Sequence, residues 1–328
     1  MGEECMEIPR RRFLRVAAAA AILPALPNAA RADAFPSRPV HVVTGYPAGA
    51  SPDIIARLVA DALSRHTGQQ FIVDDRPGAG SNIGTEFVAH AAPDGYTLLI
   101  AVSTNAINAT LYTKLNFNFT KDFVAVGGVG VTPFVIVANP AFPAKTVPEL
   151  IAYSKAHPGQ VNFATQGVGT GPHAAAELFK MMTGADLVHV PYKGNFNPDL
   201  LGGQIPLSFA SIASEMEFIK DGRLHCIAVT TTARSEAVPD APTVAETVPG
   251  YEAAGWYGIV APTGTPGDVV GKLGQFVLDC AKQADVQAKL AAIGVVPKPM
   301  AAPDFGKFIA DETEKWAKVI RFADMRVD

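Results

Sequence analysis

Short β-branched runs alternate with segments of helical periodicity along the chain after residue 33. The first part of the pattern predicts strand, helix, strand, helix and strand at 40–43, 54–63, 71–73, 81–92 and 97–102. In the first helical segment Ile54, Ile55, Leu58, Val59, Ala62 and Leu63 fall on one face. Alternation of this kind predicts parallel strands with helices on both faces of a sheet.

The second half repeats the scheme. Further strands are predicted at 135–137, 161–164, 187–190, 207–209, 226–229 and 258–261, and helices at 146–157, 172–183, 268–282 and 303–322. Thr146 and Glu149 have the spacing of a capping box at the start of the helix 146–157. Gly184 is placed to end the helix predicted at 172–183. A chain of 328 residues is too long for one ordinary core. It therefore suits an α/β protein with two lobes.

The N terminus has the pattern of an export signal. A basic stretch, 10–15, precedes an apolar run from Val16 to Leu26, and Ala30-Arg31-Ala32 has the small-x-small cleavage pattern. The apolar run is shorter than the roughly 20 residues that a membrane-spanning helix needs. We expect residues 1–32 to be removed before Asp33. The Arg10-Arg11 pair favours a twin-arginine signal, with Pro9 where Ser or Thr is usual, and an Arg-rich secretory signal is the alternative.

Cleavage changes the net charge. The whole chain carries −4, and the segment 1–32 carries five Arg and three Glu, so the processed chain carries −6. An acidic protein is a poor binder of nucleic acid and does not attract anions through its net charge. Any anion site must use local dipoles. Cys226 and Cys280 would remain after cleavage, and two separated cysteines in apolar surroundings are more typical of small core residues than of a disulfide.

The first segment that carries chemistry runs from Tyr46 to Asp53, directly after the first strand. Ser51 is a good N-cap, and Pro52 would then occupy the first helical position, where a missing N–H has no effect. Gly49 and Ala50 would let a ligand approach the backbone. Free N–H groups at a helix N terminus bind anions, and in an open α/β sheet such turns lie where ligands bind.

The second segment, from Thr165 to His173, has the same order of strand, glycine-rich turn, Pro and helix. Two such turns about 120 residues apart predict two helix N termini that face one cleft. The alternative is that each is only a tight loop between a strand and a helix. The Gly167-x-Gly169-x-Gly171 spacing differs from that of nucleotide-binding fingerprints.

Enzyme motifs are absent from the sequence: it has no Gly-x-Ser-x-Gly, His-Glu-x-x-His or Cys-x-x-Cys. His173 is placed either to contact a ligand or to serve as a polar residue at a helix start. Asp53 is more typical of a backbone cap and helix-dipole partner than of a catalytic acid. We therefore expect no catalytic residues, no metal and no cofactor.

Several segments in the right order resemble the receptors of tripartite tricarboxylate transporters, also called Bug receptors. The resemblance covers nearly all of the chain after residue 33. The matching segments are 46–57, 73–84, 93–98, 167–172, Pro191-Tyr192-Lys193-Gly194, 199–204, 239–246 and Trp256-Tyr257-Gly258.

The resemblance implies a type II periplasmic-binding-protein fold, in which two α/β lobes close over a ligand in the cleft between them. One lobe is expected at 33–135 plus 258–328 and the other at 136–257. In the family the two glycine-rich turns hold a carboxylate. By match, the ligand-binding residues would be Tyr46, Pro47, Ala48, Gly49, Ala50, Ser51, Asp53, Gly167, Val168, Gly169, Thr170 and His173, with Ser103, Thr104 and Asn105 as further polar groups of the cleft.

The implied function is capture of a small carboxylate in the periplasm by a monomer, which delivers it to the permease subunits of a tripartite transporter. Presentation of the ligand to a membrane sensor kinase is the alternative, and a periplasmic hydrolase or isomerase is disfavoured. The chain departs from the family pattern at two places. The segment 195–198 is about two residues shorter than the usual pattern, and Ala210 follows Phe209 where the family often has Asp. The identity of the ligand therefore stays open.

Overall fold

A computed structural model describes residues 35–192 and 194–327. The chain divides after Ser37 into two units, and the elements below lie in the second, which begins at Arg38. The predicted signal 1–32 and Lys193 lie outside the described residues. The strands are β1 Val40–Thr44, β2 Phe71–Asp75, β3 Thr97–Val102, β4 Phe123–Ala138, β5 Asn162–Thr165, β6 Val188–Pro191, β7 Leu207–Ser211, β8 His225–Val229, β9 Ala254–Pro262 and β10 Val296–Met300.

The α-helices lie between and after these strands. They are α1 Ser51–Thr67, α2 Asn82–Ala89, α3 Ser103–Leu111, α4 Val147–Ala156, α5 Gly171–Thr183, α6 Asn197–Leu201, α7 Ile212–Lys220, α8 Gly267–Ala281, α9 Ala284–Ala292 and α10 Ala302–Phe322. No helix among the described residues combines the length and the apolar character needed to cross a bilayer.

The strands are connected in the order β2-β1-β3-β9-β4-β7-β5-β6, and β8 and β10 also pair with β4. The predicted parallel pairing is correct for β1 with β2 and β3, and for β5 with β6 and β7. It is wrong at the centre, where β4 and β9 pair antiparallel with each other and with their neighbours. An apolar run predicts a strand but carries no information about its direction.

Strand β4 joins the two groups of strands. Its residues 123–133 pair with β9, and its residues 134–138 pair with β7. The strands predicted at 135–137 and 258–261 are therefore the C-terminal parts of two longer strands. Since β4 pairs with a different group at each end, two parallel groups of strands lie side by side across it.

Burial explains why these segments form strands and helices. Val40, Val42 and Val43 of β1 are fully buried, as expected for a parallel strand with helices on both faces. The apolar residues on one face of α10 are buried at Phe305, Trp316, Val319 and Ile320, among other positions. Full burial of each such side chain contributes about 1.5–3 kcal/mol.

Several local predictions need correction. Ala50, and not Ser51, is the N-cap of α1, so Pro52 takes the second helical position. Thr146 accepts a hydrogen bond from the Glu149 N–H, but the Glu149 side chain accepts from the N–H of Lys145 and does not complete the predicted capping box. Gly184 ends α5 with φ 66°, as predicted.

The helices α3, α6, α7 and α9 were not predicted. None of them is longer than nine residues, so the apolar positions complete too few turns to give a clear period. Cys226 and Cys280 are both free thiols, which agrees with their interpretation as core residues.

Candidate ligand-binding site

Two loops that share the backbone conformation of their last two residues lead into two helices. We call residues 45–50, between β1 and α1, loop 1, and residues 166–170, between β5 and α5, loop 2. Gly49 and Gly169 have φ 83° and 79°. Ala50 and Thr170, the N-caps, both have φ −71° and ψ 155°. The repeated order of glycine, turn and Pro in the sequence therefore corresponds to a repeated three-dimensional structure.

Each loop is held by a side chain from the first turn of its helix. The N–H of Gly49 donates to Oδ2 of Asp53 at 2.7 Å, and the N–H of Gly169 donates to Nδ1 of His173 at 3.2 Å. Asp53 and His173 are both buried. Both glycines need their left-handed φ, which other residues adopt only with strain. The two side chains therefore stabilise the turns from the side of the helix.

Asp53 lies in a charged cluster. Nε of Arg57 lies 2.7 Å from Oδ1 of Asp53, and its Nη2 lies 2.7 Å from Asp75. Burial alone would raise the pKa of Asp53, but the Gly49 N–H and Arg57 outweigh it and hold that pKa below its usual range. Burial and the neighbouring Asp53 raise the pKa of Asp75. Asp53 is therefore the more acidic member of the pair.

His173 lies in neutral surroundings by comparison. Its ring stacks on that of His189, with 3.8 Å between the centroids. Its Nε2 lies 3.7 Å from Glu177, which pairs with Lys180 at 2.9 Å. Burial lowers the pKa of His173 to about 3, and His189 and Lys180 add to the effect. The ring is therefore neutral, and because Nδ1 accepts from Gly169, the hydrogen-bond network assigns the proton to Nε2.

A cavity of about 340 Å³ lies between the two loops. Its lining combines residues of both loops with the first residues of α1, α3 and α5, residues of β4 and β9, and the ends of β3 and β7. They are Tyr46, Ala50, Ser51, Pro52, Val102, Ser103, Thr104, Thr132, Phe134, Gln166, Thr170, Gly171, Pro172, Ser211, Gly255, Trp256 and Tyr257. None of these described lining residues has a charged side chain.

Four helix N termini meet at this cavity. The first residues or N-caps of α1, α3, α5 and α7 all contribute to its lining. The first N–H groups of a helix have no intrahelical acceptor, and each N terminus carries a partial positive charge of about half an elementary charge. The cavity therefore has a positive potential that comes from backbone dipoles and not from basic side chains.

The cavity wall contains buried hydroxyl groups. The hydroxyl of Tyr46 donates to Oγ1 of Thr104 at 3.0 Å. Burial raises the pKa of Tyr46 to about 12, and burial also raises the pKa of Tyr257. Both phenols are therefore protonated at neutral pH and do not add negative charge to the site.

Six of the fifteen residues predicted for the site line the cavity: Tyr46, Ala50, Ser51, Ser103, Thr104 and Thr170. Of the other nine, Pro47, Ala48, Gly49, Gly167, Val168 and Gly169 lie in the loops, and Asp53, Asn105 and His173 lie in the first turns of helices. The Oδ1 of Asn105 accepts from the Val102 N–H, and its Nδ2 donates to Thr85. It caps α3 and does not face the cavity.

Pro52, Gly171 and Pro172, at the starts of α1 and α5, line the cavity in addition to the predicted residues, and two further kinds of lining residue were omitted. Gln166 and Ser211 directly follow or end a strand, so the rule that polar residues at strand ends face ligands was enough to find them. Thr132, Phe134 and Trp256 lie inside the long antiparallel strands β4 and β9. No local signal marks a residue in the middle of a strand as part of a cavity.

A larger cavity of about 640 Å³ lies elsewhere, beside β8 and the end of α7. Its lining includes Lys145, Lys220, His225 and Asp240. It contains neither glycine-rich loop, and its basic residues are balanced in part by Asp240. Among the described residues no group of three or more His, Cys, Asp or Glu side chains is arranged to hold a metal ion.

Comparison with known proteins identifies the family. The model of the tripartite tricarboxylate transporter family receptor, TctC, matches residues 55–325. The chain belongs to this family. It is 36% identical to the protein BugT of Bordetella pertussis over 296 residues, which cover 88% of this chain and 90% of BugT. The resemblance stated from the motifs is confirmed.

Solved structures of this family have the same fold. Rpa4515 of R. palustris, solved with adipate, is 32% identical with a TM-score of 0.76, over 89% of this chain and 99% of that one. MatC of Rhodopseudomonas palustris, with bound malate, is 30% identical with a TM-score of 0.73, over 87% and 100% of the two chains. The predicted type II periplasmic-binding-protein fold, with two α/β lobes, is therefore confirmed.

Proposed function

We propose that this receptor is an extracytoplasmic solute-binding protein that captures a small organic carboxylate in the 340 Å³ cavity and delivers it to the membrane subunits of a tripartite tricarboxylate-type transporter. The observation that carries the proposal is the convergence of four helix N termini on a cavity lined by uncharged side chains. Such a site attracts an anion through backbone dipoles although the whole chain is acidic. Relatives solved with adipate and malate support a carboxylate.

The proposal includes two lobes, 33–135 plus 258–328 and 136–257, that close on the ligand. It is supported by the course of β4, which pairs with β9 before residue 134 and with β7 from residue 134. The cavity takes residues from both sides of this boundary, such as Ser51 and Thr170. Closure would expel water and strengthen the interaction between the helix dipoles and the carboxylate.

We also propose binding without turnover. Asp53 and His173 are the acidic and imidazole groups nearest the two loops, and both are occupied by hydrogen bonds to loop N–H groups. A general base needs a free acceptor within reach of the substrate. Since neither group lines the cavity, neither is placed to move a proton on a ligand.

The proposed location is the periplasm, after export and removal of residues 1–32. The receptor family supports this location. N-terminal sequencing of the exported protein should begin at Asp33. Replacing Arg10 and Arg11 with Lys should block export if the twin-arginine route is used, and unchanged export would favour the secretory route.

A thermal-shift screen with adipate, malate and benzoate tests the binding function, with adipamide as the uncharged match for adipate. A ligand at a hundredfold excess over its Kd should stabilise the protein by about 2.7 kcal/mol. Adipamide should give no shift where adipate does. Stabilisation by adipamide equal to that by adipate would contradict an anion site.

A matched pair of variants places the binding site. Ser51→Asp puts a carboxylate at the first residue of α1 inside the cavity, where Asp is favourable for the helix but repels an anion. Gly267→Asp also puts a carboxylate at the first residue of a helix, α8, but in open space away from the cavity. We expect Ser51→Asp to weaken binding at least about tenfold, or 1.4 kcal/mol, and Gly267→Asp to leave it unchanged.

A further inference from the structure

The two loops use different chemistry for the same hydrogen bond. Gly49 and Gly169 occupy equivalent positions with nearly the same φ, and each donates its N–H to the side chain four residues later. In loop 1 the acceptor is the carboxylate of Asp53. In loop 2 it is the neutral imidazole of His173. Because the backbone matches at the glycine and at the N-cap that follows it, the main difference between the two hydrogen bonds is the charge of the acceptor.

The charges around each acceptor increase this difference. Beneath loop 1, one guanidinium, that of Arg57, lies between the carboxylates of Asp53 and Asp75. Beneath loop 2, Glu177 is balanced by Lys180, and His189 stacks on His173 without adding charge. Loop 1 therefore lies over a net negative cluster, and loop 2 lies over a neutral one. A negative group beneath a helix N terminus offsets the positive end of its dipole.

We propose that His173 is a positioning residue that holds loop 2 as a neutral acceptor, so that the anionic group of the ligand is held at the N terminus of α5 in preference to that of α1. This inference rests on the proposed function. It assigns a polarity to the cavity: the carboxylate lies beside Thr170 and Gly171, and the less charged part of the ligand lies toward Ser51. A ligand with one carboxylate should bind in this single orientation.

Three substitutions at residue 173 separate the acceptor from the charge. Asp53 shows that a side chain of this length reaches the glycine N–H in this backbone conformation. His173→Asn therefore keeps a neutral acceptor, His173→Asp keeps the acceptor and adds a negative charge, and His173→Ala removes the acceptor. His90→Asn, at an exposed position, is the control and should leave binding unchanged.

Calorimetric titration at pH 8 with the strongest ligand among adipate, malate and benzoate is the test. We expect His173→Ala to weaken binding about tenfold and His173→Asn to recover most of that loss, because the acceptor returns. His173→Asp should bind at least about tenfold more weakly than His173→Asn, or 1.4 kcal/mol. Equal binding by the Asp and Asn variants, or no recovery by Asn over Ala, would overturn the proposal.

The reciprocal change provides a test that does not depend on the folding of the residue 173 variants. Asp53→Asn keeps the acceptor for Gly49 and removes the negative charge beneath loop 1. Because the potential at α1 then becomes more positive, we expect the anion to bind severalfold more tightly. Weaker binding would contradict the charge asymmetry.

Hydrogen exchange separates failure of this inference from failure of the proposed function, since it needs no ligand. The Gly169 amide should be protected in the wild type and in His173→Asn, and should exchange at least about tenfold faster in His173→Ala because its acceptor is lost. If no carboxylate binds, the proposed function and the ligand polarity that rests on it both fail. Unchanged exchange at Gly169 in His173→Ala would instead refute the positioning role while leaving carboxylate binding intact.

Discussion

Substituting the equivalent glycines of the two loops with alanine should give unequal losses of stability. Gly49 and Gly169 have φ 83° and 79°, so alanine is strained at both. An added Cβ at Gly49 meets no atom within 4 Å, whereas at Gly169 it would lie 2.3 Å from Cδ2 of Leu111. The pair therefore separates the backbone strain, which both variants share, from a steric clash that only one of them has.

The expected magnitudes follow from these two terms. An alanine in the left-handed region costs about 1–2 kcal/mol. Non-bonded carbon atoms prefer a separation of about 3.5–4.0 Å. Leu111 is only 5% exposed, so it cannot move freely away from a Cβ at residue 169. Overpacking of this kind costs about 1–3 kcal/mol more. Gly49→Ala should lose about 1–2 kcal/mol, and Gly169→Ala about 2–5 kcal/mol.

Urea unfolding followed by circular dichroism gives the free energy of unfolding of each variant. In a Leu111→Ala background the clash is absent, so Gly169→Ala should cost only what Gly49→Ala costs. Losses for the two glycine variants that agree within about 0.5 kcal/mol in the wild-type background would refute the reasoning, because the close approach of α3 to loop 2 would then have no energetic effect.

Three further predictions concern the cavity and its supports. Thr104→Val should destabilise the protein by about 1–3 kcal/mol, because the buried Tyr46 hydroxyl loses its acceptor, and Tyr46→Phe in the same chain should recover most of this in urea unfolding. The free energy of unfolding should fall as the pH is lowered from 6.5 toward 4, where the unfolded chain protonates His173 and the folded chain does not. The contribution of His173 to the slope of the free energy of unfolding against pH approaches about 1.4 kcal/mol per pH unit. It should be missing in His173→Asn, as a pH series of unfolding curves would show. Ligand binding should change the fluorescence of Trp256, which lines the cavity, and the change should persist in Trp316→Phe, since Trp316 lies in the core. Loss of the signal in that variant would contradict the assignment.

The sequence was sufficient to predict the features that depend on local order. Two strands followed by glycine-rich turns and a Pro predicted two helix N termini facing one cavity, and both loops line it. The left-handed stop at Gly184 was also predicted, because only a residue without a Cβ takes that conformation readily. These features depend on a few adjacent residues, so the pattern along the chain contains them.

The features that were missed depend on distant contacts. The antiparallel direction of β4 and β9 is set by their neighbours in the sheet, and Trp256 reaches the cavity only because of that pairing. Asp53 and His173 differ from these features, because their contacts are local. Asp53 was expected to be a backbone cap, and His173 either a ligand contact or a polar residue at a helix start. Each accepts a hydrogen bond from the loop glycine four residues earlier.

The most direct test of the central claim is calorimetric titration of the exported, processed protein with the best carboxylate from the screen, followed by chromatographic recovery of that carboxylate. The account predicts saturable binding that Ser51→Asp weakens at least about tenfold, with the ligand recovered unchanged. A ligand consumed during the titration would contradict binding without turnover. Binding that is indifferent to Ser51→Asp would contradict the site between the two loops.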